Sequence, residues 1–322
     1  MTAAVRAERC SKWYGSVLGV SDVTWELGGG VIGLLGPNGA GKSTLMKLMA
    51  GLLRPSRGSI QVFGGDPVAD VAVRRRIGYS PEHESTYDEL TGLELVTSLA
   101  HLAGVPREHA GRAATDALAA MGMTEAMNRR VKGYSKGMRQ RTKLAATLAH
   151  DPDLLILDEP LTGVDPLART QIIDRIRKLA AAGKTVVVSS HVLYEIEALT
   201  QDIVVIYRGQ VLAEGNLYEI RKLIDHHPHR IQVECDRPRE LAAALAGSAH
   251  VRRVSIDRRG VTIETLEPDR CYDELAVILT ERNPGTSLAL SFTDCYGCLL
   301  AQSVLLLRAG KQFVAEPRRD DM

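Results

Sequence analysis

An α/β fold, a sheet with helices packed on it, followed by a small α+β domain, is what the 322-residue sequence predicts. Three observations carry the prediction. A glycine-rich loop, Gly36-Pro37-Asn38-Gly39-Ala40-Gly41-Lys42-Ser43-Thr44, joins an apolar run to a helical segment. Strand-like and helix-like segments alternate from residue 1 to about residue 224. Beyond that point the segments follow in the order β-α-β-β-α-β.

Taken in chain order, Val31-Ile32-Gly33-Leu34-Leu35 is a short apolar run of buried-strand type, and Leu45 to Ala50 continues as a helix. Between them, residues 36–43 read G-x-x-x-x-G-K-S. The glycines let backbone N–H groups crowd around an anion, and Lys42 reaches the β- and γ-phosphates. Ser43 offers a hydroxyl to Mg²⁺, and the helix points its positive dipole end at the phosphates. The ligand this predicts is a nucleoside triphosphate. Tyr134-Ser135-Lys136-Gly137-Met138 then opens a helix running to about His150. Its start is either a second anion-binding terminus, made by the Ser135 hydroxyl and the Gly137 N–H, or a plain serine cap. Leu154 to Leu157 is an apolar strand ending in Asp158 and Glu159. At the carboxyl end of a parallel strand, Asp158 can hold Mg²⁺ through water, and Glu159 can orient a water for attack on the γ-phosphate. The plainer alternative is a strand that ends in acidic turn residues.

From Lys222 to His229 the pattern lapses into a polar, proline-containing joint. Its three histidines lack a matching carboxylate or cysteine cluster and read as a solvated linker rather than a metal site. Past the joint come strand 231–235, helix 238–246, strands 251–256 and 261–266, helix 269–281, strand 287–292 and a last helix 294–307. Arg258-Arg259-Gly260 turns between the middle strands. This is the ferredoxin-like order. Cys295 and Cys298 at the last helix start allow a redox reading or two buried structural thiols. The tail from 308 to 322 is charged.

Composition narrows the class. With 40 Lys+Arg against 39 Asp+Glu, nothing global argues for nucleic acid. No N-terminal segment has the charged-then-apolar shape of a signal peptide. The apolar stretch Cys298–Leu307 is too short for the roughly 20 residues a membrane helix needs. Five scattered cysteines, an odd number, point to a reducing compartment. The expectation is a cytoplasmic protein whose membrane role comes through a partner. Arg74-Arg75-Arg76 reads as a solvated charge run, with a membrane-proximal role as the alternative.

The phosphate loop, Tyr134–Met138, the Asp158-Glu159 pair, Gly163-Val164-Asp165-Pro166 and Ser189-Ser190-His191 occur in one order at one set of spacings. Together, across about residues 5–220, they resemble the nucleotide-binding domain of an ATP-binding-cassette (ABC) transporter. The resemblance implies a P-loop NTPase cassette over residues 1–224 with a helical subdomain at about 83–140, in which residues 83–133 would be a helical insert whose first helix is opened by Tyr87-Asp88-Glu89-Leu90-Thr91. A C-terminal domain at 225–307 and the tail follow. It implies ATP and Mg²⁺ as ligands, with Ser135 to Met138 as the signature that contacts the γ-phosphate held by a second copy. Gly163 to Asp165 would cross the dimer interface, His191 would contact the γ-phosphate, and Tyr14 would stack on adenine. Two departures stand out. The signature is usually Leu-Ser-Gly-Gly-Gln, and here Lys136 either adds charge near the anion or faces solvent. In Ile77-Gly78-Tyr79-Ser80-Pro81-Glu82, the family usually has Gln where this chain has Glu82. A carboxylate there can also touch Mg²⁺, and it resembles a branch working with separate export-type permeases. The implied function is the ATP-hydrolysing subunit of an exporter, homodimeric and docked on an integral-membrane permease. The alternatives are a soluble ATPase acting on ribosomes or nucleic acid, or an importer subunit.

Overall fold

The computed structural model describes residues 3–82, 87–220, 229–234, 237–256, 260–282 and 289–292. The chain divides into two compact units, Met1–Leu217 and Tyr218–Met322.

In the first unit, apolar runs make the central sheet. Its order is β5 (Ile77–Ser80), β6 (Leu154–Leu157), β7 (Thr185–Ser190), β3 (Gly30–Leu35), β8 (Asp202–Tyr207) and β9 (Gln210–Asn216). All pairings are parallel except that of β8 with β9. β6 and β7 are buried along their whole length, as strands covered on both faces must be. The chain leaves β3 toward the β5 edge and leaves β7 toward β8. The crevice between the carboxyl ends of β3 and β7 is therefore the topological switch point, where open α/β sheets place ligands.

A second, antiparallel sheet has the order β2 (Val17–Leu27), β1 (Val5–Tyr14), β4 (Arg57–Val62). Helix α1 (Lys42–Met49) buries Leu45, Met46, Leu48 and Met49 in one core that joins both sheets, with Leu34, Ile156 and Val187 from the first and Val5, Val23 and Ile60 from the second. The short α2 (Val71–Arg75) precedes β5. The helical insert contains α3 (Gly92–Leu102) and α4 (Arg107–Ala120), and a 3₁₀ turn, Val131–Gly133, leads into α5 (Lys136–Leu148). Thr91 and Glu94 form a capping box on α3. Asp165 caps α6 (Pro166–Ala181), with proline in its first turn, and α7 (Leu193–Glu197) follows β7.

The second unit has β10 (His229–Glu234), α8 (Pro238–Leu245), β11 (Arg253–Ile256), β12 (Gly260–Thr265), α9 (Pro268–Arg282) and β13 (Ala289–Phe292). Its sheet is antiparallel in the order β11-β12-β10-β13. Ile231, Val233, Leu241, Leu245, Val261, Ile263 and Leu275 form its core. The expected start of β11 at 251 moves to Arg253 because Val251 closes a turn, donating to the Ser248 carbonyl at 3.4 Å. The joint residues 222–228, Arg258 and Arg259, Cys295, Cys298, the expected helix 294–307 and the tail lie outside the described residues. Among the described residues, no helix is long and apolar enough to cross a membrane.

Candidate functional site

The phosphate-type loop leaves β3 at the switch point. Its helix begins at Lys42, earlier than the apolar run indicates, so Lys42, Ser43 and Thr44 form the first turn of α1. Gly41 is the N-cap at φ +106° and supplies no side-chain cap, so the first-turn N–H groups stay available to an anion. Lys42 is 6% exposed. Its Nζ donates to the carbonyls of Gly36 at 2.6 Å and Pro37 at 3.2 Å. The Ala40 N–H donates to Pro37 at 3.2 Å, and the Gly209 N–H donates to Ala40 at 2.8 Å. The loop is thus a closed cradle with a cation on its rim. Tyr14 is 44% exposed beside it, with its hydroxyl 3.4 Å from Thr44 Oγ1.

Asp158 and Glu159 stand at the carboxyl end of β6, and both are buried. Ser189 Oγ donates to Asp158 Oδ1 at 2.6 Å and accepts the Glu159 N–H at 2.9 Å. Glu159 sits at φ +49°, a left-handed conformation unusual for a non-glycine residue. Its Oε1 is 3.0 Å from His191 Nδ1 and 3.6 Å from Lys42 Nζ, while Thr162 Oγ1 donates to Oε2 at 3.2 Å. A carboxylate only accepts, so this hydrogen bond requires the proton on His191 Nδ1. Glu159 is held at fixed orientation between two nitrogen groups, which is what a base acting on a water beside the cradle needs.

Among the described residues no three His, Cys, Asp or Glu side chains gather to hold a metal unaided. The oxygen groups these segments carry are the Ser43 hydroxyl in the first turn of α1, the Asp158 carboxylate after β6 and Glu82 just past the neighbouring strand β5. This fits Mg²⁺, which takes one or two carboxylates and completes its shell from water and substrate phosphates. Lys143 Nζ fixes the Glu82 backbone by donating to the carbonyls of Pro81 at 2.6 Å and Glu82 at 3.2 Å. Burial, then the charges of Asp158 and Glu82, push the Tyr79 phenol up to about 12.

A second cluster forms around α5. Ser135 caps it, accepting the Met138 N–H at 3.2 Å. Gly137 faces the loop before α6, since a Cβ on it would lie 3.3 Å from Asp165 Oδ2. Gly163, at φ +70°, has the exposed Lys136 side chain lying across it, and an added Cβ would come within 2.2 Å of the ammonium. Ser135 and Gly137 thus make their contacts with Met138 and Asp165, while the phosphate-type loop makes its own with Glu159, Tyr14 and Gly209. Sequence reasoning assigned no role to Ser189, Thr162 or Gln140, whose Nε2 donates to the Pro160 carbonyl at 2.9 Å and anchors the segment after Glu159. The available signal for Ser189 is the pair of serines that closes an otherwise valine-rich buried strand.

Residues 20–162 match the family described as ABC transporter. The chain is 36% identical over 256 residues to the daunorubicin/doxorubicin resistance ATP-binding protein DrrA of Streptomyces peucetius, across 77% of this chain and 78% of that protein. It is 39% identical over 215 residues to the ABC transporter ATP-binding protein NatA of Bacillus subtilis, across 65% of this chain and 87% of that one. A solved structure of the ATP-binding subunit of an ABC transporter matches with a TM-score of 0.63 at 30% identity, covering 69% of this chain and 93% of that chain.

Proposed function

Because the chain belongs to the ABC transporter family, we propose that it is the ATP-hydrolysing subunit of an exporter whose membrane passage lies on a separate permease. The observation that carries the ATPase reading is Glu159, held 3.0 Å from His191 and 3.6 Å from Lys42 at the mouth of the phosphate-type loop. The loop N–H groups and Lys42 bind the β- and γ-phosphates, and Tyr14 stacks on adenine. Ser43, Asp158 and Glu82 hold Mg²⁺, which when bound neutralises developing charge on the phosphates. Glu159 orients the attacking water and takes its proton, while His191 braces Glu159 through Nδ1 and offers Nε2 to the γ-phosphate.

Ser135, the cap of α5, and Gly137, which faces Asp165 in its own chain, complete the site of a second copy. ATP gripped from both sides then holds a homodimer, and hydrolysis releases it. The export-type permease is supported by the likeness to the resistance protein DrrA. The place at the cytoplasmic face of the membrane rests on that same partner. The antiparallel order β11-β12-β10-β13 with two helices supports the ferredoxin-like reading of residues 225–307, as a dimerisation or regulatory domain appended to the cassette of residues 1–224.

Glu159→Gln tests both parts. Turnover should fall about 10²- to 10⁴-fold, the usual worth of a positioned base, and an ATP-bound dimer should accumulate on size exclusion. Unchanged turnover removes Glu159 from the chemistry. A variant that stays monomeric at saturating ATP removes the sandwich.

A further inference from the structure

Behind His191 lies a buried polar chain that the reading above does not use. Ser190 ends β7, and its carbonyl accepts the Gly36 N–H at 3.4 Å. Its Oγ accepts the Val192 N–H at 3.0 Å and donates to Glu195 Oε2 at 2.8 Å. One hydroxyl thus fixes the peptide that follows His191, and the same residue's backbone touches the first residue of the phosphate loop. Glu195 is 5% exposed, so its charge must be compensated within the protein. Arg169 supplies the cation, with Nη2 3.4 Å from Glu195 Oε1 and Nη1 donating to the Tyr194 hydroxyl at 2.8 Å. The guanidinium also faces the Tyr194 ring, 5.7 Å from its centroid. Arg169 belongs to the first turns of α6, whose cap Asp165 closes the loop that faces Gly137 and Lys136.

We propose that Ser190, Glu195 and Arg169 are positioning residues for ATP hydrolysis, holding the His191 turn in register with Glu159 and tying it to the 163–165 loop. The inference rests on the ATPase reading. A buried ion pair is poor at adding stability compared with apolar residues of the same volume. What this one supplies is direction: a fixed Ser190 hydroxyl, and through it a fixed imidazole. Because Asp165 caps the helix that carries Arg169, displacement of the 163–165 loop is delivered to His191 through α6 rather than through solvent.

The test is steady-state ATP hydrolysis by the full chain, with Glu159→Gln run alongside. Ser190→Ala removes the hydroxyl with little change in volume. It removes two hydrogen bonds and should lower kcat about tenfold, on the order of the net worth of one buried hydrogen bond, while KM for ATP stays within about twofold. Glu195→Gln and Arg169→Met should behave alike, and the double variant should be no worse than the poorer single, since residues acting as one unit are non-additive. The inference is overturned if Ser190→Ala keeps wild-type kcat, if its effect falls on KM alone, or if the Arg169 and Glu195 losses multiply. Should Glu195→Gln fail to fold, Ser190→Ala decides alone. Loss of turnover in Glu159→Gln with none in Ser190→Ala rejects the positioning chain and leaves the ATPase reading intact. Absence of ATP hydrolysis by the wild-type chain rejects that reading instead.

Discussion

A single methyl group at Gly41 meets two obstacles. The residue sits at φ +106°, and an added Cβ would stand 2.5 Å from the Gly19 carbonyl oxygen. The left-handed conformation alone costs an alanine about 1–2 kcal/mol, and the carbonyl cannot retreat without moving β2. Gly41→Ala should therefore shift the urea midpoint downward and abolish binding of a fluorescent ATP analogue. A variant with wild-type midpoint and affinity would show that the cradle tolerates deformation. At this scale the sequence was most legible. Lys42 and Ser43 are dictated by a local motif, whereas the 3.0 Å and 3.6 Å contacts of Glu159 need His191 and Lys42 brought from distant segments. No spacing rule contains that convergence, and none flags Ser189, whose importance comes only from β7 lying beside β6.

Among the elements, α5 leads into a pH dependence at His150, two residues past its last residue, Leu148, where the sequence carries the helix to about 150. His150 Nε2 lies 3.1 Å from the Ile77 carbonyl, while Nδ1 is buried without a hydrogen-bond partner. Burial, the leading cause, holds the imidazole below its usual value near 6.5. The folded state therefore binds fewer protons here than the unfolded chain. This contribution is fully present above about pH 6.5 and is lost as pH falls through the lower folded value. Denaturant midpoints should drop on going from pH 7 to pH 5, and the drop should shrink in His150→Gln; an equal drop in both would assign it to other groups. Sequence periodicity located α5 and the apolar strands β3 and β6, because burial on both faces leaves continuous hydrophobic runs. It left the extent of the insert less legible, since α4 turns small residues such as Ala110, Ala114 and Ala117 inward and carries little hydrophobic contrast.

For the whole molecule, two separate cores imply two melting events. The units Met1–Leu217 and Tyr218–Met322 each bury their own apolar cluster. The candidate ATP site draws only on the first. Calorimetry should resolve two transitions, and Mg²⁺-ATP should raise only one of them, by the linkage that gives about 2.7 kcal/mol at a hundredfold excess over Kd. A single transition, or two that move together with ATP, would mean that the units unfold as one.

The ammonium of Lys42, bonded to the Gly36 and Pro37 carbonyls and facing Glu159, makes this lysine a strut of the loop, besides the phosphate role proposed for it. Replacing it removes one of the two nitrogen groups that face a carboxylate only 4% exposed and unties the loop from itself. Silence from a Lys42 variant would confound a slackened scaffold with a missing phosphate contact, which makes it an ambiguous negative control. Glu159→Gln leaves the lysine its two carbonyl partners, and is the substitution whose inactivity can be interpreted.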